Sequence, residues 1–317
     1  MHRDWWKVKG AALLCCAGVV TVVTACGAPD STAPAEEPAV ETPAASAPAS
    51  VSAGWAVTEG IETPESVYVD PDTGVIYSSQ IAGAPDGRDG NGRIVRLRPD
   101  GTMDAADFVT GLNAPKGLRS HEGTLWVADL DEVLGISLAT GEVTSRVTVE
   151  GAQFLNDVAV GPDGTVYVSD MLASRIFALS NGTVSVFAEG EELEYPNGLL
   201  VDGGRLIVGG WGKPNPDFST SVPGRLFALD LASKTKTLIT PEPFGNTDGL
   251  ESDGRGGYIV SDWNAGTIRH VSASGESQLL RQFMPGTADI AFADGVLIVP
   301  HMQENRLEAY DIASLLP

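Results

Sequence analysis

Residues Phe154 to Asp170, FLNDVAVGPDGTVYVSD, contain the pattern that decides the fold. Val158 and Val160 alternate with other residues before a Gly-Pro-Asp-Gly turn, and a second β-branched run follows the turn and ends in Asp170. Alternation on one side of a turn and a β-branched run on the other predict a two-stranded β-hairpin. Asn156 opens this hairpin, although a strand that only forms core has no structural need for a polar residue there.

Weaker copies of this hairpin recur along the chain, and each opens with a polar residue. The six hairpins are PESVYVDPDTGVIYSS, PKGLRSHEGTLWVAD, LNDVAVGPDGTVYVSD, PNGLLVDGGRLIVGG, TDGLESDGRGGYIVSD and ADIAFADGVLIVPH. Their aligned polar residues are Glu65, Lys116, Asn156, Asn197, Asp248 and Asp289, at intervals of 51, 40, 41, 51 and 41 residues. A third and usually a fourth apolar run follow each hairpin. Four short strands in each of six repeats predict an all-β protein, a six-bladed β-propeller with four-stranded antiparallel blades.

The last repeat ends in NRLEAYDI and has no good fourth strand before Pro317. The segment WAVTEG at 55–60 is suited to fill that position. We therefore expect an N-terminal strand to close the ring, which would leave no sheet edge open. The predicted propeller domain covers residues 54–317.

The segment before the propeller predicts export. Residues 1–25 combine a basic start with an apolar run that is too short for a durable membrane span. The run ends in Val-Thr-Ala before Cys26, which resembles the lipobox of bacterial lipoproteins and implies a lipid-modified cysteine as the new N-terminus; the alternative is an ordinary secretory signal. Residues 26–53, rich in Ala, Pro, Ser and Glu, predict a disordered tether. We expect the domain to lie outside the cell, anchored to the bacterial membrane at Cys26.

Charge and cysteine content narrow the possible partners. The net charge is −22. This argues against nucleic acids and anionic lipid surfaces as partners, because both bind to basic patches. An acidic chain is compatible with solubility and with divalent cations. All three cysteines precede residue 27, so the predicted domain has no disulfide. We expect a monomer that binds a small-molecule substrate, with no nucleic acid and no membrane contact except the lipid anchor.

Propeller geometry predicts a site at one mouth of the central channel. If the first strand of each blade lines the axis, the six aligned polar residues form a ring. The second strands end at the same mouth, and three of these ends (Asp129, Asp170 and Asp262) are expected to clamp loops. The long loops 81–92 and 212–224 belong to opposite blades, which predicts a partial cover over the mouth.

Four residues of the ring have the chemistry of a cation site. Glu65 and Asp248 supply carboxylates, and Asn156 and Asn197 supply amides. Hard oxygen ligands without sulfur or clustered imidazole favour Ca²⁺, or secondarily Mg²⁺ or Mn²⁺.

At these residues the chain resembles the regucalcin and gluconolactonase family, six-bladed propellers related to paraoxonases and diisopropylfluorophosphatases. The resemblance covers residues 55–315 and depends on the order Glu65, Asn156, Asn197 and Asp248 at the starts of blades one, three, four and five. It implies that these residues bind one catalytic divalent metal and that Asp248 also serves as base or nucleophile. Lys116 departs from the pattern, because a lysine at the ring repels a cation unless it pairs with a carboxylate.

The resemblance implies metal-dependent hydrolysis of lactones or related esters. His301, at the end of a second strand, is a candidate proton shuttle. Lys116 is a candidate for holding a substrate carboxylate, and Trp211 for stacking on a substrate ring. Two alternatives stay open: a non-catalytic surface binding or scaffold propeller with a structural ion, and a lyase or synthase on the same scaffold.

Overall fold

A computed structural model describes residues 50–316. Within this part of the chain the strands form six four-stranded antiparallel sheets, and the only helices are three single 3₁₀ turns at Glu191–Leu193, Met302–Glu304 and Ala313–Leu315. The prediction of an all-β, six-bladed propeller is confirmed.

The first three blades each use four consecutive strands. The first blade comprises β2 (Pro64–Val69), β3 (Ile76–Gln80), β4 (Gly92–Leu97) and β5 (Met103–Leu112). The second comprises β6 (Pro115–His121), β7 (Thr124–Asp129), β8 (Glu132–Ser137) and β9 (Val143–Thr148). The third comprises β10 (Leu155–Val160), β11 (Val166–Asp170), β12 (Arg175–Ser180) and β13 (Thr183–Glu189).

Two more blades follow the same order, and the last combines strands from both ends of the described chain. The fourth blade comprises β14 (Pro196–Asp202), β15 (Arg205–Gly210), β16 (Leu226–Asp230) and β17 (Lys236–Leu238). The fifth comprises β18 (Thr247–Ser252), β19 (Tyr258–Asp262), β20 (Thr267–Val271) and β21 (Ser277–Gln282). The sixth comprises β22 (Ala291–Ala293), β23 (Val296–His301), β24 (Arg306–Asp311) and β1 (Ala56–Val57), which pairs with β24.

The signal segment, Cys26 and nearly all of the predicted tether lie outside the described residues. Val51 is buried in the apolar cluster that also contains Ile61 and Val67, although the predicted tether runs to residue 53. Among residues 50–316 there is no helix long and apolar enough to cross a membrane.

The core lies between neighbouring blades. One cluster, for example, joins Tyr77 and Ile94 of the first blade to Leu118, Leu125 and Val127 of the second. Because each blade covers the apolar face of the next, the sheets need no helices to bury them.

Glycine allows the innermost strands to approach each other closely. A Cβ atom on Gly198 would lie 2.2 Å from the carbonyl oxygen of Asp248, and one on Gly117 would lie 2.2 Å from Oδ1 of Asp157. Each of these glycines directly follows a residue of the predicted ring, Asn197 in one case and Lys116 in the other. The Asn-Gly and Lys-Gly pairs therefore place a polar side chain at the axis and permit contact with the next blade.

Candidate functional site

Five of the six aligned polar residues line one cavity at the axis. The cavity has a volume of about 200 Å³. All five side chains are buried. They are Glu65, Lys116, Asn156, Asn197 and Asp248.

The sixth aligned residue, Asp289, is buried but is not among the residues that line this cavity. Its backbone N–H donates to the carbonyl of Glu65, and its own carbonyl accepts from Val67. Its carboxylate accepts a 2.5 Å hydrogen bond from the Ser66 hydroxyl. Asp289 therefore joins the last blade to the first, because this contact uses both its backbone and its side chain.

A backbone irregularity places the polar side chains at the cavity. The pairing of the first and second strands shifts register in five blades, between Pro64 and Ser66 and at the equivalent points of β6, β10, β14 and β18. Each shift includes one cavity residue. A β-bulge leaves residues unpaired and bends the strand, which turns a side chain away from the normal alternation.

Serine hydroxyls satisfy the backbone groups that three of these bulges free. Ser169 Oγ accepts the N–H of Asp157 at 2.9 Å, and Ser261 Oγ accepts the N–H of Gly249 at 2.7 Å. Ser79 does the same for Ser66 at 3.0 Å. A buried N–H group without a partner is costly, so these hydroxyls stabilise the bulges.

Asn197, Asp248 and Glu65 together leave two buried oxygens without partners. Asn197 Nδ2 donates to Asp248 Oδ1 at 3.0 Å, and Asn197 Oδ1 has no hydrogen-bond partner within the described residues. Glu65 Oε2 is likewise buried without a partner there. Unsatisfied buried acceptors are rare and indicate a missing donor or cation.

We call the five aligned polar side chains of the cavity its floor: Glu65, Lys116, Asn156, Asn197 and Asp248. Carboxylates lie close together there. Burial raises the pKa of Glu65 well above its usual range, and Asp248 raises it further while Lys116 lowers it. Burial likewise raises the pKa of Asp248, with Asp289 adding to the effect and Asn197 opposing it. The cavity is therefore a place where added positive charge is favourable.

Asp157 is a further buried carboxylate next to this floor. Its two oxygens accept hydrogen bonds from the N–H groups of Val158 at 2.7 Å and Leu199 at 2.6 Å. Burial raises the pKa of Asp157 to about 7, although Arg119 lowers it. Arg119 itself forms a 2.8 Å ion pair with Glu251.

Lys116 supplies a positive charge to the floor without an ion pair within the described residues. Its Nζ atom donates to the carbonyls of Ala114 at 2.9 Å and Pro85 at 3.0 Å, and lies 4.6 Å from the centre of the Phe154 ring. Burial lowers the pKa of Lys116, and Glu65 is the carboxylate that most strongly opposes this. Because an ammonium group has three donors, one N–H remains for a ligand.

The walls of the cavity are mainly apolar and come partly from the two long loops. Loop 81–92 contributes Ile81, Gly83 and Pro85, and loop 212–224 contributes Asp217 and Phe218. The prediction that both loops lie at one mouth is confirmed. The remaining wall residues are Thr63, Phe154, Met171, Trp211, Trp263 and Met302.

Trp211 lies in this wall, as its predicted contact with substrate requires. Its ring centre is 6.2 Å from that of Trp263, and its Nε1 atom donates to the carbonyl of Phe218 at 3.1 Å. The indole N–H is therefore already used, and the part of the buried ring that lines the cavity is apolar.

His301 is not among the residues that line the cavity. It is buried with its ring edge-on to Phe283, with centroids 5.0 Å apart. Its nitrogens lie 3.6 Å from Glu304 and 3.8 Å from Glu308. Burial and then Arg306 lower the pKa of His301. The structure thus separates this candidate proton shuttle from the other predicted site residues.

The aspartates that end the second strands hold loops, as the sequence predicted. Asp129 accepts the N–H groups of Asn113 and Ala114 at 2.9 and 2.8 Å. Asp170 does the same for Gln153 and Phe154 at 3.0 and 2.8 Å. In the second and third blades these bonds fix the segment that enters the first strand, and hence the position of the bulge.

The sequence prediction included Trp211 but missed the other aromatic residues of the wall, and it missed Asp157. A signal for the wall is present, since the residue directly after each second strand is large and apolar in all six blades. Five of these six residues line the cavity: Ile81, Met171, Trp211, Trp263 and Met302.

Comparison with solved structures gives similar folds at low sequence identity. A chain of the nidogen/laminin complex is 17% identical, with a TM-score of 0.59, over 71% of this chain and 88% of that one. A catalytically inactive variant of virginiamycin B lyase from Staphylococcus aureus, with quinupristin, is 13% identical, with a TM-score of 0.56, over 80% and 97%. A streptogramin B lyase is 12% identical, with a TM-score of 0.54, over 79% and 93%. No protein family and no curated protein matches the chain. At this level of identity the likeness shows that the chain shares the six-bladed β-propeller fold of these proteins, and it shows nothing finer.

Proposed function

We propose that the chain is a divalent-cation-dependent hydrolase of lactones or related esters, with the axial cavity as its active site. The observation that carries this proposal is the pair of buried oxygens without partners, Glu65 Oε2 and Asn197 Oδ1, in a cavity that also contains Asp248 and Asn156. Neither oxygen has a donor within the described residues, and both are hard ligands of the type that Ca²⁺ accepts.

The donor set fits Ca²⁺, Mg²⁺ or Mn²⁺ better than zinc. Residues 50–316 contain no group of three or more His, Cys, Asp or Glu side chains arranged to hold a metal ion. A cation here would be held by a mixture of carboxylates and amides, from Glu65, Asp248, Asn156 and Asn197. Asn156 is buried and lines the same cavity, which places its amide beside the other three ligands. Calcium tolerates mixed carboxylate and carbonyl ligands.

The side chains around this site have separate roles in the proposed reaction. A bound cation would polarise the ester carbonyl. Asp248 accepts the proton of the attacking water, and Asn197 fixes the orientation of that carboxylate through the 3.0 Å hydrogen bond. The free N–H of Lys116 holds the carboxylate that hydrolysis produces. The apolar wall limits the access of bulk water to the reacting groups.

The test compares turnover with and without chelator. Purified protein is assayed on a panel of lactones and aryl esters in calcium buffer and in EDTA, together with Asp248→Asn. We expect turnover that EDTA abolishes, that calcium restores and that the variant lacks. Asp107→Asn is the matched control, because Asp107 is exposed on an outer strand. Turnover that survives EDTA, or the absence of turnover across the panel, contradicts the proposal.

Lys116 favours a second function, a binding propeller that needs no cation. Its ammonium group already supplies positive charge near Glu65 and Asp248. Calorimetric titration with calcium separates the two functions, since a propeller of the second kind binds no calcium at the cavity and shows no difference between wild type and Asp248→Asn.

We further propose that the protein is exported and anchored outside the cell by lipid at Cys26. The small residue and the apolar run directly before Cys26 support this placement. Metabolic labelling with a fatty acid tests it, because Cys26→Ser abolishes incorporation if the proposal is correct, whereas Cys16→Ser does not.

A further inference from the structure

We propose that the cavity selects substrates with an apolar ring or chain attached to the reacting ester group, and that Phe218 is the residue that determines this specificity. The inference rests on the proposed function and names its substrate class. It excludes polyhydroxylated sugar lactones as good ligands.

The wall contains an aromatic cluster separate from the cores between blades. Phe154, Met171 and Trp211 form a buried group, with Phe218 and Trp263 packed against it. The centres of the Phe154 and Phe218 rings are 5.8 Å apart, and their planes are tilted by 49°. Because all five residues also line the cavity, the cluster presents its surface to a ligand.

Phe218 adopts a backbone conformation that a bulky residue rarely takes. Its φ angle is 61°, in the left-handed region that glycine and asparagine favour. The side chain of Phe218 is only half-buried, so packing in a core does not explain this conformation. This conformation closes a tight turn, in which the N–H of Asn215 donates to the carbonyl of Ser219 at 2.8 Å and the N–H of Phe218 donates to the carbonyl of Asn215 at 2.9 Å.

Hydrogen bonds from outside the turn also hold Phe218 in place. Its carbonyl accepts hydrogen bonds from Trp211 Nε1 at 3.1 Å and from Asn264 Nδ2 at 3.2 Å. Asn246 Nδ2 donates to the Trp211 carbonyl at 2.7 Å and to Thr220 Oγ1 at 2.9 Å, which fixes the same loop from its other side. Hydrogen bonds from two neighbouring blades thus hold the loop that places the Phe218 ring at the cavity.

The distribution of polar groups explains the exclusion of sugar lactones. Apart from Thr63, Asp217 and the indole of Trp263, the polar side chains that line the cavity lie on the floor, where the proposed cation and the reacting carbonyl are placed. Asp217 Oδ1 already accepts hydrogen bonds from the N–H and the hydroxyl of Ser219. Trp211 uses its N–H within the protein, and Phe154, Met171 and Phe218 offer no hydrogen bonds. Hydroxyl groups against this wall would lose their water without gaining partners, which is unfavourable.

A matched pair of ligands tests the inference. δ-Decalactone and glucono-δ-lactone share a six-membered lactone ring, but one carries an alkyl chain and the other hydroxyl groups. Binding is measured by the fluorescence change of the cavity tryptophans in the full chain with Asp248→Asn, so that the enzyme does not consume the ligand. We expect δ-decalactone to bind at least about tenfold more tightly, since burial of about two methylene groups accounts for that ratio.

The second arm tests Phe218 itself. Phe218→Asn retains a residue that tolerates the left-handed backbone, so the loop is expected to keep its fold, with a small fall in melting temperature from the lost contact with Phe154. Affinity for δ-decalactone falls at least about fivefold, while affinity for δ-valerolactone, the unsubstituted ring, stays the same. Val222→Asn, an exposed position on the same loop, is the control and leaves both affinities unchanged.

The outcomes separate this inference from the proposed function. If δ-decalactone binds through Phe218 but no EDTA-sensitive turnover is found, the hydrolase proposal fails and the specificity inference stands. If glucono-δ-lactone binds as tightly as δ-decalactone, or if Phe218→Asn leaves the ratio between δ-decalactone and δ-valerolactone unchanged, the specificity inference is overturned whatever the turnover.

Discussion

Asn197 Nδ2 donates a 3.0 Å hydrogen bond to Asp248 Oδ1 across the boundary between the fourth and fifth blades, and this bond leaves Asn197 Oδ1 buried without a partner within the described residues. The amide thus links two strands by its nitrogen and offers its oxygen to the cavity. A cation bound to Asn197 Oδ1 would give this oxygen a partner, so substitutions of Asn197 test the proposed cation site.

Asn197→Asp replaces the donor with a second carboxylate beside Asp248. Like charges at this distance repel, so we expect the melting temperature in EDTA to fall by at least about 4 °C. Calcium should reverse the loss and raise the melting temperature more than in wild type, because a ligand that binds only the folded state stabilises it. Differential scanning fluorimetry measures both effects. Asn181→Asp, in an exposed turn, is the control, and a calcium-independent melting temperature in the Asn197 variant contradicts the prediction.

Lys116→Met removes the fixed positive charge from the cavity floor and keeps a side chain of similar length. Since Lys116 opposes a cation at Glu65 and Asp248, we expect calcium affinity to rise at least about tenfold in calorimetric titration. Lys213→Met removes an exposed lysine from the loop at the cavity mouth and should leave the affinity nearly unchanged. Equal affinity in wild type and Lys116→Met would argue against a cation at this floor.

Gly198→Ala tests the close approach of two innermost strands. The added Cβ would lie 2.2 Å from the carbonyl oxygen of Asp248, a backbone atom, so one of the two strands has to shift. We expect a loss of about 1–3 kcal/mol in the free energy of unfolding, measured by urea denaturation. Gly204→Ala is the matched control, because no atom lies within 4 Å of its Cβ position. A Gly198 variant as stable as the control would show that the strands separate easily.

The sequence predicted the blades because strand alternation and turns are local signals. Asn156 and Asp248 open hairpins whose pattern is readable within sixteen or so residues, and the structure places both at the cavity. Contacts between blades are not local, and the residues that the sequence prediction misplaced or omitted are those that depend on such contacts. Asp289 is aligned with the ring, yet Ser66 of the first blade turns it into a link between the ends of the propeller. The Asn-Pro-Asp sequence at 215–217 indicates a turn, but the contact of Phe218 with the cavity depends on donors from Trp211 and Asn264, which are not local.

The lowered pKa of Asp253, which lies outside the cavity, leads us to expect that the fold loses stability in acid. Burial raises the pKa of this carboxyl, but the hydrogen bond from His270 and the N–H groups of Arg255 and Gly257 lower it by more, so the net shift is downward. A carboxyl with a lowered pKa in the folded state stabilises the fold above the unfolded pKa of about 3.9. This stabilisation is lost as the pH falls through the lower folded value.

Asp253→Asn should therefore reduce the free energy of unfolding by about 1 kcal/mol at neutral pH and make the loss on acidification smaller. Urea denaturation at neutral pH and at a series of acidic pH values measures both. Asp107→Asn, at an exposed position, should follow the wild-type profile. Parallel pH profiles for wild type and Asp253→Asn would show that the contact with His270 contributes nothing.

The short strand β1 gives the last prediction, because it occupies the position that the sequence assigned to a closing strand. Trp55 accepts the N–H of Ala309 at 3.0 Å, and Gly54 donates to the carbonyl of Ala309 at 2.9 Å, so this segment covers the edge of β24. A chain that begins at residue 58 leaves that edge open, and an open edge pairs with other chains. Compared with a chain that begins at residue 46, we expect the unfolding free energy to fall by about 2 kcal/mol or more and dimers or aggregates to appear in size-exclusion chromatography. Equal melting temperatures and elution volumes for the two chains would mean that the ring is stable without an N-terminal strand.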